Sequence, residues 1–356
     1  MRKPLPRDEV AAAVEHRKPS RVPMSIHMWN GYDPKTEIGQ RVREIQEAYP
    51  DDLFRTNPRM PNFWDDLADP NHVPGYSWLN EPPPPPSTDA HAFDSNVGIR
   101  DWSQLDAILD AWPDPSIPQV TAGLAEQIAR NAAGRYTGIH WWFLLYERLW
   151  SMRGMENILC DFFEHPREVH RLMDALTDFY CAIIRRCAKE LPLDFIISSD
   201  DIGMQTGPMF SPAIFREFFR DRYAKMIRTA HDCNLHFWLH ACGNIEPFLD
   251  DFVAMGLDVI HPIQKYTMDE RAIAKRFGGK LAFWTGMDVQ QILPRGTPDD
   301  VRREVRFMIG TYDRPDGGCI VTAGNGIGAD VPIENLLAFY DESYEYGTEH
   351  RRKFSG

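Results

Sequence analysis

The chain has 356 residues, 43% hydrophobic and 26% charged, enough to bury a large core in one big domain or two average ones. A formal net charge of −13 excludes nucleic acid and an anionic membrane as expected partners. Six cysteines in so long a chain are not a disulfide framework, no signal peptide is visible and no apolar run is long enough to span a bilayer, so a reducing cytoplasm is the expected setting.

Residues 1–20 read as a helix and lead-in. A first strand is predicted over 21–27, ending in the polar cluster His27, Met28, Trp29, Asn30. A helix follows at 36–48 and a second strand at 51–55. Residues 58–95 are proline-rich and irregular, and the run from Pro82 to Pro86 favours a stiff polyproline II connection. Helices are predicted at 102–111 and 117–133, a strand at 137–143, and helices at 147–163 and from Pro166 to about Leu191. A strand at 193–198 closes on Ser199, Asp200 and Asp201. Next come a helix at 212–233 and a strand at 235–242. A short helix starts at Ile245. Strands at 257–261 and 281–285 flank a helix at 268–277. Thr297 and Pro298 start the helix 298–311, 319–323 is the last strand, and Pro332 starts the closing helix.

From residue 136 onward short apolar strands alternate with helices, which requires a parallel sheet covered by helices. No glycine-rich dinucleotide fingerprint follows an early strand. The expected fold is therefore α/β, a single-domain (β/α)₈ barrel over 1–356, with 58–95 as an excursion. All strand C-termini of such a barrel face one rim, where chemistry sits.

The residues at or just past the strand ends are His27 and Trp29, Trp141 and Trp142, Asp200 and Asp201, His240 and Cys242, His261 and Gln264, Asp288, and Asn325. His240 and Cys242 lie two apart on an extended chain, so both side chains reach one point. An imidazole and a thiolate together suit zinc better than calcium or magnesium. Asp201 is the leading oxygen donor to complete the shell. Asp200, Asp201 and His261 are the candidates for acid–base work. His27, Trp29, Trp141, Trp142, Gln264 and Asn325 are the candidate pocket lining. The ordinary alternatives are a hydrogen-bonded core histidine at 240, helix caps at Asp200 and Asp201, and wall packing for the tryptophans. Cys319 starts its strand; at about 3.3 Å per residue it lies roughly 13 Å below the rim, so it is expected to be structural.

Several segments together resemble the uroporphyrinogen decarboxylase superfamily, and more closely its zinc-dependent, corrinoid-linked methyltransferase branch. They are His240-Ala241-Cys242-Gly243-Asn244; Ser199-Asp200-Asp201-Ile202-Gly203 through Pro208, with Ser211-Pro212; Glu147-Arg148-Leu149-Trp150 with Arg153-Gly154-Met155; and Gly324-Asn325-Gly326-Ile327 with Pro332-Ile333-Glu334-Asn335. True uroporphyrinogen decarboxylases carry an arginine-rich motif after the first strand, but here that place reads His27-Met28-Trp29-Asn30. The thiol-methylating branch has a further zinc-binding cysteine where this chain has Asn325.

The resemblance implies a zinc-dependent methyltransferase that moves a methyl group between a small methoxylated aromatic or thiol substrate and the corrinoid of a separate protein. Asp69-Pro70-Asn71-His72-Val73-Pro74-Gly75 is one residue too long for a corrinoid-binding motif, so the corrinoid is expected on a partner. The pocket is expected to be arginine-poor, and a homodimer is compatible with the chain. The alternatives are a metal-independent decarboxylase or lyase of a small carboxylic acid, and a non-catalytic barrel that binds a tetrapyrrole or corrinoid.

Overall fold

Strands form where the short apolar runs were expected, and helices fill the stretches between. The computed structural model describes residues 2–84 and 97–354, so residues 85–95 of the proline-rich excursion lie outside the described residues. The strands are β1 (Leu53–Thr56), β2 (Asn62–Trp64), β3 (Ser77–Leu79), β4 (Tyr136–Trp141), β5 (Phe195–Ser199), β6 (His236–His240), β7 (Val259–His261), β8 (Ala282–Trp284) and β9 (Cys319–Ile320). Seven of them form one parallel sheet in the order β1-β4-β5-β6-β7-β8-β9. Sequential order with helical crossovers is the right-handed βαβ pattern, and it curls the sheet around its inner face.

The expected first strand over 21–27 does not form. In its place is a single parallel bridge between Met24 and Val321. Ser25 N–H donates to Val321 O at 2.9 Å, and Asp52 N–H donates to Met24 O at 3.0 Å. The physical reason is local. Pro23 has no N–H to give a ladder. The buried Asp51 carboxylate takes the N–H of Ile26 at 2.7 Å and of His27 at 3.1 Å, and His27–Trp29 turns into a 3₁₀ helix.

The excursion is less irregular than expected. β2 and β3 pair in parallel, and Tyr76, Trp78 and Leu79 join the same hydrophobic cluster as the sheet. Trp78 packs edge-on to Phe179, centroids 4.8 Å apart, on the long helix Pro166–Glu190.

The inner face is filled from the bottom by rings. Tyr136 stacks on Phe195 at 5.1 Å, and Phe195 stacks on Trp238 at 4.5 Å. Gly138 makes this fit: a Cβ there would stand 2.5 Å from the Phe195 ring. The expected helix 212–233 contains a π-helical stretch, Phe215–Arg220, between α-helical ends.

Candidate active site

The loops after β5 and β6 meet backbone to backbone. Gly243 has φ +82°, and a Cβ on it would lie 2.4 Å from the Gly203 carbonyl carbon, so only glycine fits. Asn244 N–H donates to Met204 O at 2.8 Å, and Cys242 N–H donates to Asp201 Oδ1 at 2.7 Å. This splice explains the sequence Cys242-Gly243-Asn244 beside Asp201-Ile202-Gly203. It holds the carboxylate of one strand end against the thiol and imidazole of the next. Ligand atoms of Asp201, His240 and Cys242 all lie within 4.8 Å of one another.

The histidine protons can be placed by elimination. His261 Nε2 is 2.9 Å from Ala323 O, which only accepts, so Nε2 carries a hydrogen. Burial pushes both imidazoles below their ordinary pKa, hence both are neutral. His261 Nδ1 then offers a lone pair, and His240 Nδ1, 2.7 Å away, donates to it. The lone pair of His240 Nε2 is left facing the cluster, 3.3 Å from Cys242 Sγ and 3.6 Å from Asp201 Oδ1. That is the tautomer a metal-ligating histidine needs.

Burial and the nearby Asp201 charge push the Cys242 thiol up to about 12. Asn325 Nδ2 points at that sulfur from 3.5 Å. Gln264 Oε1 accepts Gly243 N–H at 2.6 Å. These residues line a cavity of about 250 Å³ with Asp288, Met287 and Lys265. Trp29 stacks on His261 at 5.0 Å and its indole N–H donates to Thr322 Oγ1 at 2.8 Å. Trp142 stands edge-on to His240 at 5.9 Å and meets Trp29 at 6.1 Å.

Other expected site residues are placed elsewhere. Trp141 stacks on Tyr180 at 5.8 Å in the helix layer, because neighbours on a strand point to opposite faces. His27 turns outward: its Nε2 is 2.8 Å from Tyr49 O, and in a 3₁₀ turn it cannot share the inward direction of Trp29. Asp200 is fully buried and faces a helix start. It accepts the N–H groups of Leu145 at 3.2 Å, Tyr146 at 3.1 Å and Glu147 at 2.8 Å, and the hydroxyl of Tyr223. Burial pushes it up to about 6 despite these donors. His261 is fully buried, does not line the cavity and touches the cluster at His240 Nδ1. Asp288, by contrast, stays at the cavity, where its carboxylate also accepts Gln290 N–H at 2.9 Å and Ile292 N–H at 3.1 Å. Cys319 begins β9, is fully buried and is one of six free thiols. His72, in the segment 69–75, lies 3.4 Å from Asp65 in the β2–β3 excursion.

Two residues were missed. Glu147 is buried and takes the Ser199 hydroxyl, and burial with the Asp201 and Asp200 charges pushes it up to about 8. Arg55, the third residue of β1, reaches the inner face, while among the described residues no arginine lines the 250 Å³ cavity. The Arg55 guanidinium lies 5.8 Å from the Trp284 ring, and Trp284 is 4.5 Å from His261. A second acid–histidine group, Asp161, Glu164 and His165, is partly taken up by Arg153, 2.7 Å from Asp161.

Polar chemistry gathered at the carboxyl edge of a parallel sheet is the hallmark of ligand-handling α/β folds. Within that class the chain belongs to the uroporphyrinogen decarboxylase family, whose model, described as Uroporphyrinogen decarboxylase (URO-D), matches residues 145–346. Over 190 residues it is 24% identical to a Methylated-thiol--coenzyme M methyltransferase of Methanosarcina mazei, a match covering 52% of this chain and 47% of that protein, so the chain spans about half of that relative. It is 22% identical over 247 residues to a Uroporphyrinogen decarboxylase of Actinobacillus succinogenes, covering 67% of this chain and 68% of that one. The solved structure of a methyltransferase from Methanosarcina mazei superposes with a TM-score of 0.60 over 98% of each chain at 14% identity, which shows a shared fold. Among the described residues no helix is long and apolar enough to cross a membrane.

Proposed function

We propose that the protein is a zinc-dependent methyltransferase that moves a methyl group between a small methoxylated aromatic or thiol substrate and the corrinoid of a separate protein. The observation that carries this reading is the His240 Nε2 lone pair converging with Cys242 Sγ and the Asp201 carboxylate. A soft nitrogen, a soft sulfur and one oxygen fit zinc, with a position left for substrate. Similarity to the two methyltransferases supports the reaction class.

When bound, zinc would supply Lewis acidity to the heteroatom that bears or receives the methyl group. The chain's own residues do the rest. His261 orients His240 and keeps its proton off Nε2. The Gly203–Gly243 splice holds Asp201 against the sulfur. Trp29 and Trp142 wall the approach, while Gln264 and Asn325 edge it. Glu147, protonated near neutral pH, can hold or give a proton beside Asp201.

The 250 Å³ cavity suits a small molecule, so the corrinoid would approach over the rim on its partner. The reading also takes the fold to be a closed, single-domain (β/α)₈ barrel, with the Met24 segment filling the gap between β1 and β9. The metal-free lyase has less support, because Asp200 is occupied by a helix start and His261 by Ala323. A cytoplasmic setting is kept as the expectation, as is a homodimer.

The test is metal analysis of protein purified without chelator, with methyl transfer to cob(I)alamin. About one zinc per chain is expected, and Cys242→Ala should lose both zinc and transfer. Full activity in metal-free protein would overturn the reading.

A further inference from the structure

Arg55 is a cation that has found no counter-charge. Among the described residues no carboxylate lies within ion-pair distance of it. Its Nε is fully buried with no hydrogen-bond partner, and Nη1 points at the Met28 sulfur, a weak acceptor. The acid whose charge it feels is Asp51, but that carboxylate is engaged by Ile26 and His27 N–H groups and by the Ser25 hydroxyl. An uncompensated guanidinium at a half-buried position is costly. Burial lowers its pKa to about 10.

A second orphan stands beside it. Arg55 is in register with Gly138 on β4, and His140 is two residues further on the same face. His140 Nδ1 is buried without a partner. Burial and the Arg55 charge hold this imidazole neutral, down at about 3. His140 meets Trp142 edge-on at 5.3 Å, and Arg55 faces Trp284. The two orphans therefore stand on one side of the packed rings Trp29, Trp142 and Trp284, which meet at 5.7 and 6.1 Å. The metal candidates Asp201, His240 and Cys242 stand on the other side. Negative charge gathers on the β5–β6 side, positive charge on the β1–β4 side.

We infer that Arg55, with His140, binds an anionic group of the substrate, a carboxylate, and thereby sets which end of the molecule faces His240 and Cys242. This rests on the proposed function and narrows it: the substrate is an aromatic carboxylate. A planar guanidinium suits a carboxylate in bidentate fashion, and the site's low dielectric strengthens the pair. A neutral analogue would leave the cation as unpaired as before, which makes the discrimination large.

Binding is measured on metal-free protein, so that a carboxylate cannot report metal ligation. Quenching of tryptophan fluorescence gives Kd for 3-methoxybenzoate and for its neutral isostere 3-methoxybenzamide. Wild type should favour the acid by about tenfold or more, and Arg55→Met should bring the ratio to about one. Arg55→Lys should keep part of the preference. His140→Phe should weaken the acid more than the amide. Arg55→Met should fold at least as well as wild type, since it removes an unpaired buried charge; if it does not, the wild-type ratio and Arg55→Lys decide. A ratio near one in wild type, or an unchanged ratio in Arg55→Met, overturns the inference and makes Arg55 a structural counter-ion of Asp51. Zinc content is read separately, so loss of the metal reading with the preference intact, or the reverse, tells the two failures apart.

Discussion

The two ends of the same strands are built on opposite terms. At the lower end of β4, β5 and β6, Tyr136, Phe195 and Trp238 stack as a column of rings that excludes water. At the upper end the same strands carry His140, Asp201 and His240, groups left unpaired or held by relays. The lower end lowers the free energy of folding. The upper end raises it, and the difference is what a substrate or a metal can recover on binding. Stability and chemistry are thus separated along each strand.

That separation is easiest to break from below. Trp238→Ala empties part of the column and should cost about 3–5 kcal/mol of stability, measured by denaturant unfolding. Zinc content per folded molecule should stay the same. His240→Ala is the mirror experiment: zinc should vanish while the unfolding midpoint moves little. Should Trp238→Ala lose zinc at full folding, the two ends are coupled and the contrast fails.

A finer cut goes through the relay. His261→Phe keeps a ring against Trp29 and Trp284 but removes the acceptor of the His240 Nδ1 proton. Zinc affinity should drop roughly 10–100-fold by competition with a chelating dye. An unchanged affinity would mean that His240 is oriented by packing alone.

Glu147 tests the cost of the upper end directly. Its folded pKa is raised to about 8, above the ordinary carboxyl value. Between about pH 4.5 and 8 the unfolded chain gives up this proton and the folded chain keeps it. Stability of the metal-free protein should therefore fall across that window and level off above it. Glu147→Gln should flatten the slope and gain roughly 2 kcal/mol at pH 9, with little gain at pH 4.5. An equal slope in both proteins would place the titration elsewhere.

What was legible in the sequence follows from what is local. His240 and Cys242 share a direction because a strand has period two, and the chain alone says so. Apolar runs bounded by turn residues gave the parallel sheet for the same reason. The same period separates Trp141 from Trp142, yet with the strand's end unplaced both were assigned to the rim. Asp200 and Asp201 differ likewise: one faces a helix N-terminus, the other the cavity, and only the fold brings Tyr146 and Tyr223 to Asp200. Arg55 and Glu147 were invisible because a lone charge at a strand end, or at a helix start, reads as solvated. Their significance depends on what fails to meet them, and that is a property of the assembled sheet.

The smallest expected effect is at Cys319, and it tests the register on which the contrast depends. Cys319 pairs with Phe283 at the lower part of β8 and β9, and its side chain is fully buried. The loop beyond β9 reaches the cluster only at Asn325, whose amide points at Cys242. A cysteine at 319 therefore belongs with the packed end, although it is a soft ligand by chemistry. Cys319→Ser replaces a buried thiol by a hydroxyl of similar size. The loss should be about 1 kcal/mol, set by desolvation of that hydroxyl. Zinc stoichiometry and affinity should not change. If zinc is lost with the fold intact, the sulfur reaches the metal, β9 is displaced by several residues from the register described, and the division between a packed lower end and a reactive upper end cannot hold.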